Sequence, residues 1–277
     1  MSLDEPVSLV DTHCHLYLDE YDQDRSQVIK RAWEAGIRRL LIPGLDIETS
    51  KAAIKCASEY QQVCAAAGLH PNSNQKWTED TQQELRSLAK KNKVVAIGEI
   101  GLDYYRNHSP HDYQRRSLIK QLELAADLEI PVIIHNREAS GDIADILTDW
   151  QGGLTTHHSH LSEHPGVLHA FSGDEQLAER MAELHFKLGI GGAVTFRNSH
   201  ILQRVVKVMP LQCLLLETDA PFLSPHPLRG QRNEPVNVRI VAEKIAEIKA
   251  MPVGEVGRIT TEEADKVFNW RPYIDSG

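Results

Sequence analysis

Short apolar runs rich in β-branched residues recur along the chain, about 20 to 40 residues apart. They are "VSLVDTHCH", "RRLLIPGL", "VCAAAGLHP", "KVVAIGEIGLD", "PVIIHNR", "GVLHAFSG", "HFKLGIGG" and "CLLLETDA", and they predict eight strands. Between most of them apolar positions return every three or four residues, as in "DRSQVIKRAWEAG", "DIETSKAAIKCASEY", "DTQQELRSLAKKN" and "HDYQRRSLIKQLELAADLE", the spacing of amphipathic helices. Strands that alternate with helices lie parallel, because each crossover helix covers a face of the sheet. Eight such units predict the α/β class and a (β/α)8 TIM barrel, one domain over residues 1–277 with its core at about 8–270. The segment 151–166, "QGGLTTHHSHLSEHPG", breaks the rhythm and is expected to be an exposed excursion; its four histidines leave a separate metal site open. After the eighth strand, "SPHPLRGQRNEPVNV" predicts a structured loop over the barrel mouth, followed by the helix "VRIVAEKIAEIKAM". A last helix in "ITTEEADKVFNW" is expected to start at a Thr260 or Thr261 cap.

Each strand is apolar early and polar or glycine-rich at its carboxyl end. His13 and His15 end the first, His70 the third, Glu99 and Asp103 the fourth, His135 and Arg137 the fifth, His169 the sixth and Asp219 the eighth. In a parallel barrel those ends open on one face, where active sites of this architecture sit. An open doubly wound sheet would gather only some of them at its switch point. His13 and His15, one residue apart, share a side of an extended chain. Alone such a pair also suits two hydrogen-bonded or surface histidines, and His135 or His169 alone also suits a core histidine. Asp103 is expected to bind loop amides, and Tyr104 and Tyr105 to pack.

Length and 41% hydrophobic residues suit a globular chain with a large core. The start, "MSLDEPVSL", has no basic and apolar export pattern, and no 18-residue apolar run predicts a membrane span. Cys14, Cys56, Cys64 and Cys213 form no paired motif, which predicts free thiols in the cytoplasm. A net charge of −9 excludes a protein that coats nucleic acid by counterion release. No obligate protein partner is implied.

Four histidines with two carboxylates suit zinc, manganese or another first-row divalent ion, because calcium and magnesium cages are built from oxygen. Six ligands exceed the three of one catalytic zinc, so two ions are expected: His13, His15 and Asp219 on one, His135 and His169 on the other, Glu99 bridging. Glu99 and Asp219 are the expected catalytic acids, Asp219 also taking a proton from water. Arg137, Arg197, Arg229 and Arg232, in strand-end loops, are candidates to grip a phosphate, against the alternative of solvated surface arginines.

Taken together, "DTHCH", "GLHP", "GEIGLDYY", "IIHNRE", "VLHAFSG" and "ETDAPFL", followed by "RNEP", resemble the TatD family of metal-dependent deoxyribonucleases, within the amidohydrolase-like barrels. The likeness runs from about Asp11 to Phe268. It implies a two-metal hydrolase of DNA phosphodiesters, cytoplasmic and often magnesium-dependent, with His13, His15, Glu99, His135, His169 and Asp219 as ligands and His70 against the substrate phosphate. Three positions depart from the family pattern: Tyr17, Ala170 and Glu263. The acidic charge then favours short or single-stranded DNA ends, by exonuclease or abasic-site cleavage, over long duplex binding. The alternative is an amidohydrolase-type enzyme acting on a small ester, lactone, cyclic amide or phosphotriester. Such barrels often bridge their metals with a modified lysine on the fourth strand, where this chain has Glu99.

Overall fold

In a computed structural model the described residues are 7–73, 77–106 and 108–270. The reading of residues 1–6 as free of an export signal lies outside them. Eight parallel strands stand side by side in chain order: β1 Leu9–Asp11, β2 Ile37–Pro43, β3 Val63–Ala67, β4 Val94–Asp103, β5 Val132–Arg137, β6 Gly166–Leu168, β7 Lys187–Ile190 and β8 Leu214–Leu216. Helices α1 Arg25–Glu34, α2 Ile47–Glu59, α3 Glu79–Ala89, α4 His111–Leu128, α5 Ser140–Thr156, α6 Glu175–Glu183, α7 His200–Val208, α8 Val238–Lys249 and α9 Val253–Phe268 connect and follow them. This is the (β/α)8 barrel expected from the alternation.

The first and last strands meet beyond their formal ends. Thr12 N donates to Leu216 O at 3.0 Å, Asp219 N to His13 O at 2.9 Å and His15 N to Ala220 O at 2.7 Å, around a parallel bridge between Cys14 and Ala220. Asp11, fully buried, adds bonds from Thr218 N at 2.9 Å and Thr218 Oγ1 at 2.6 Å. The seam is thus made by the segments that carry His13, His15 and Asp219.

Side chains of the strands divide into two apolar layers. Val10, Leu41, Cys64, Val95, Ile133, Val167 and Leu215 form one cluster with Phe268, the last residue of α9, and Trp270 just beyond it, under the barrel floor. The other layer packs strands against helices. Alternation carries the inward direction up each strand, so Ile133 predicts an inward His135, Val167 an inward His169, and Leu215 an inward Glu217 and Asp219.

Two sequence expectations change. Helix α9 begins at Val253 behind Pro252, not at Thr260 or Thr261, and buried Thr260 donates back to Val256 O at 2.8 Å inside the helix. Gly254 and Gly257 hide the helical period. Gly257 is there for closeness, since a Cβ on it would sit 2.8 Å from Ser8 O beside β1. The excursion 151–166 is also shorter than expected, because α5 runs through Gly152 and Gly153 to Thr156. Buried Leu154 and Leu161 and a bond from Gln151 Nε2 to Ser162 O at 2.7 Å hold the remainder down. His157, His158, His160 and His164 belong to none of the metal-competent side-chain groups found among the described residues. The four cysteines are free. Among the described residues, no helix is long and apolar enough to cross a membrane.

Candidate metal centre

The carboxyl ends of β1, β4, β5, β6 and β8 bring six side chains to one buried spot at the barrel mouth. His13 Nε2 and His15 Nε2 stand 3.2 Å apart, facing each other. Glu99 lies between two sets of nitrogens. Its Oε2 is 3.3 Å from His13 Nε2 and 3.9 Å from His15 Nε2. Its Oε1 is 2.8 Å from His135 Nδ1, 3.4 Å from His70 Nε2 and 3.8 Å from His169 Nε2. Asp219 Oδ1 completes the ring, 3.4 Å from His15 Nε2 and 3.9 Å from both His13 Nε2 and His169 Nε2. Three groups have ligand atoms close enough to share an ion: His13, His15 and Asp219; His13, Glu99 and His169; and His70, Glu99 and His135. His135 and His169 are not in one such group, and Glu99 Oε1 is what links them.

This geometry can be set beside known proteins. Residues 10–269 match the family described as TatD related DNase. The chain belongs to that family. TatD relatives cover nearly all of it. A Bacillus subtilis protein named as an uncharacterized metal-dependent hydrolase, YabD, is 41% identical over 260 residues, spanning 94% of this chain and 98% of its own. A Pectobacterium parmentieri protein named as the 3'-5' ssDNA/RNA exonuclease TatD is 34% identical, spanning 94% and 99%. The crystal structure of the TatD homologue YjjV from Escherichia coli superposes with a TM-score of 0.87 at 31% identity, covering 96% of this chain and 99% of that one. The TatD-family protein is therefore a metal-dependent hydrolase acting on ester bonds.

The electrostatics of the TatD site suit a divalent ion. Burial and the neighbouring His169 lower the His13 pKa to about 4, so its imidazole is neutral, the form that binds metal. Burial pushes Glu99 upward, but His70, His169 and the bonds from His13 and His135 outweigh it and hold the carboxyl well below its ordinary value. Asp219 is likewise raised by burial and lowered further by His15 and His169. The buried Glu99 and the more open Asp219, both kept ionised among imidazoles whose nitrogens converge, form a donor set that fits a first-row divalent cation.

A second layer orients these groups, and the sequence reading missed most of it. Glu217, fully buried, places Oε1 3.0 Å from His169 Nδ1 and accepts from Ala170 N at 2.6 Å. Against burial, which lowers it, the Glu217 and Glu99 carboxylates raise the His169 pKa to about 10. Glu217 directly follows β8, two residues before Asp219, so the alternation used to find Asp219 also pointed to it. Tyr17, a departure from the family pattern, sets its hydroxyl 3.3 Å from His15 Nδ1. When that hydroxyl accepts, the His15 Nε2 lone pair faces the site. Ala170, another departure, supplies only its backbone N–H. Glu263, the third, binds Lys187 at 2.5 Å and Lys266 at 2.6 Å on the outer wall. Asp103 accepts from Tyr105 N, Arg106 N and Asn72 Nδ2, as expected of a loop-binding acid, and also stands 3.4 Å from His135 Nε2.

His70 differs from the other imidazoles. Its Nδ1 accepts from Asn72 N at 3.0 Å, and burial lowers its pKa, so the neutral ring carries its hydrogen on Nε2, on the side of Glu99 Oε1 at 3.4 Å. The arginines divide. Arg137 and Arg229 are exposed, their guanidinium carbons 4.3 Å from the Tyr105 ring centre and 3.9 Å from that of Phe196. Arg197 is exposed too. Arg232 is corrected: Asp24 at 2.7 Å and Glu234 at 3.0 Å engage its guanidinium, which leaves it no free fork for a phosphate. Tyr104 packs on His111 as expected, whereas Tyr105 is exposed beneath Arg137.

Proposed function

We propose that the enzyme hydrolyses phosphodiester bonds at short or single-stranded DNA ends in the cytoplasm, with two divalent ions, zinc, manganese or magnesium. The observation that carries this reading is Glu99, whose two oxygens face different sets of histidines, the arrangement a bridging carboxylate requires. His13, His15 and Asp219 would hold one ion, His135 and His169 the other. Bound there, the ions supply Lewis acidity and positive charge for the phosphate and the departing oxygen. The protein does the rest. Glu99, with 4% of its side chain exposed, fixes the spacing of the two sets; Asp219, at 14%, is the more open acid and takes the proton of the attacking water. His70 donates Nε2–H to a phosphate oxygen, and Arg137 and Arg229 steady the strand from the rim. The names of exonuclease relatives support nucleic acid as the substrate.

The test is one metal-replete preparation offered single-stranded DNA, RNA, phosphotriesters and lactones. Shortening of DNA, abolished in Glu99→Ala, is expected. Turnover of only the lactone or phosphotriester would establish the amidohydrolase alternative, and unchanged DNA cleavage by Glu99→Ala would remove the bridge.

A further inference from the structure

Beside the metal centre, the chain displays two large apolar side chains to solvent on a backbone that is firmly held. Phe222 is 48% exposed and Leu223 43%, and the Phe222 ring centre lies 6.1 Å from that of His15. An exposed apolar pair on a loose loop would mean little. Here the loop is pinned. Phe222 N donates to Asp219 O at 2.8 Å, and buried Asn233 donates its Nδ2 to Phe222 O at 2.7 Å and to Thr218 O at 2.9 Å. Gly192 lets the backbone of Leu223 come close, since a Cβ there would lie 2.1 Å from Leu223 O. Leu223 itself adopts a left-handed φ of 51°, a conformation that bulky residues avoid unless their surroundings impose it. Leu223 also lines a cleft of about 260 Å³, where the Arg229 guanidinium lies over Phe196.

A rigid aromatic face next to a phosphate-handling centre, flanked by an arginine, is what single-stranded nucleic acids are bound with: bases stack on the ring and the cation meets the backbone. The geometry points to Phe222, with Leu223 and the Phe196–Arg229 cleft, as a nucleobase subsite for the nucleotide next to the scissile bond. The inference rests on the nuclease reading and sharpens it. The ring can stack on any base, so the subsite gives little sequence preference. It recognises that a base is present, and so favours the exonuclease form of the activity over abasic-site cleavage. The net charge of −9 fits such a subsite, because stacking replaces counterion release as the source of affinity.

The experiment uses two single strands of one sequence with a central fluorophore, one with every base, the other with tetrahydrofuran abasic residues as the last two positions at both ends. The metal-replete wild-type enzyme is expected to favour the base-bearing strand in kcat/KM by roughly 5- to 150-fold, the range of one stacked base. Phe222→Ala should bring that ratio close to one, and Phe222→Trp should restore it. Equal cleavage of both strands by the wild type, or a preference that survives Phe222→Ala, overturns the subsite while leaving the nuclease reading intact. Cleavage of neither strand overturns the nuclease reading and the subsite with it.

Discussion

Replacing Glu217 by glutamine tests how the centre is oriented. The carboxylate is fully buried. It acts on His169 through Nδ1 at 3.0 Å, while the same oxygen is fixed by Ala170 N at 2.6 Å. Glutamine keeps the size and a carbonyl for Ala170 but removes the charge that makes the imidazole a stronger ligand. Loss of such a partner weakens metal affinity or activity by about 10- to 100-fold, roughly 1.4 to 2.8 kcal/mol. Isothermal titration of the metal-free protein with manganese should show that loss, with a circular dichroism spectrum like the wild type. Gly189→Ala provides a second route to the same carboxylate, since its Cβ would sit 2.2 Å from Glu217 Oε2 and force the acid aside. Wild-type manganese affinity in Glu217→Gln would refute the orienting role, and the bridge proposed for Glu99 would then stand without support from this layer.

Other outcomes follow from single features. His70→Ala should raise KM for a single strand by about tenfold or more, the worth of a hydrogen bond to a charged oxygen, while leaving manganese affinity at the wild-type level; a loss of affinity would make His70 a ligand. Trp270→Ala opens a void under the barrel floor where the indole is wholly buried, and urea unfolding should show a loss of about 3–5 kcal/mol. Glu263 is raised by burial but lowered further by Lys187 and Lys266, so its folded value lies below the ordinary 4.5. Its contribution to stability is therefore complete above about pH 4.5 and disappears as the pH falls through the folded value; Glu263→Gln should flatten the acid limb of a stability–pH curve, and an unaltered limb would show the pairs to be idle.

The barrel and the convergence of the candidate ligands at its mouth were legible for the same reason. Parallel strands bury both faces, so a polar residue at a strand end stands out, and two-residue alternation from Ile133, Val167 and Leu215 aims the next residues inward. Glu217 obeyed that rule and was overlooked because Asp219, two positions on, already satisfied it. What the sequence hid depends on distant partners. Arg232 looked available until Asp24, more than 200 residues earlier, was seen to hold it. The start of α9 was obscured by Gly254 and Gly257, of which Gly257 lies against the segment before β1. Phe222 looked like any apolar residue after a strand, and the bonds that hold its backbone to Asp219 and Asn233 show that its exposure is imposed.

Because the hydrogen bonds between the first and last strands join the segments bearing His13, His15 and Asp219, the ring of side chains proposed to hold metal is finished only when late residues find early ones. A polypeptide still emerging from the ribosome, or one cut short before residue 219, has the histidines in hand but not their counterpart acid. Such fragments should be catalytically silent, so that faulty synthesis yields inert debris and not a poorly controlled hydrolase.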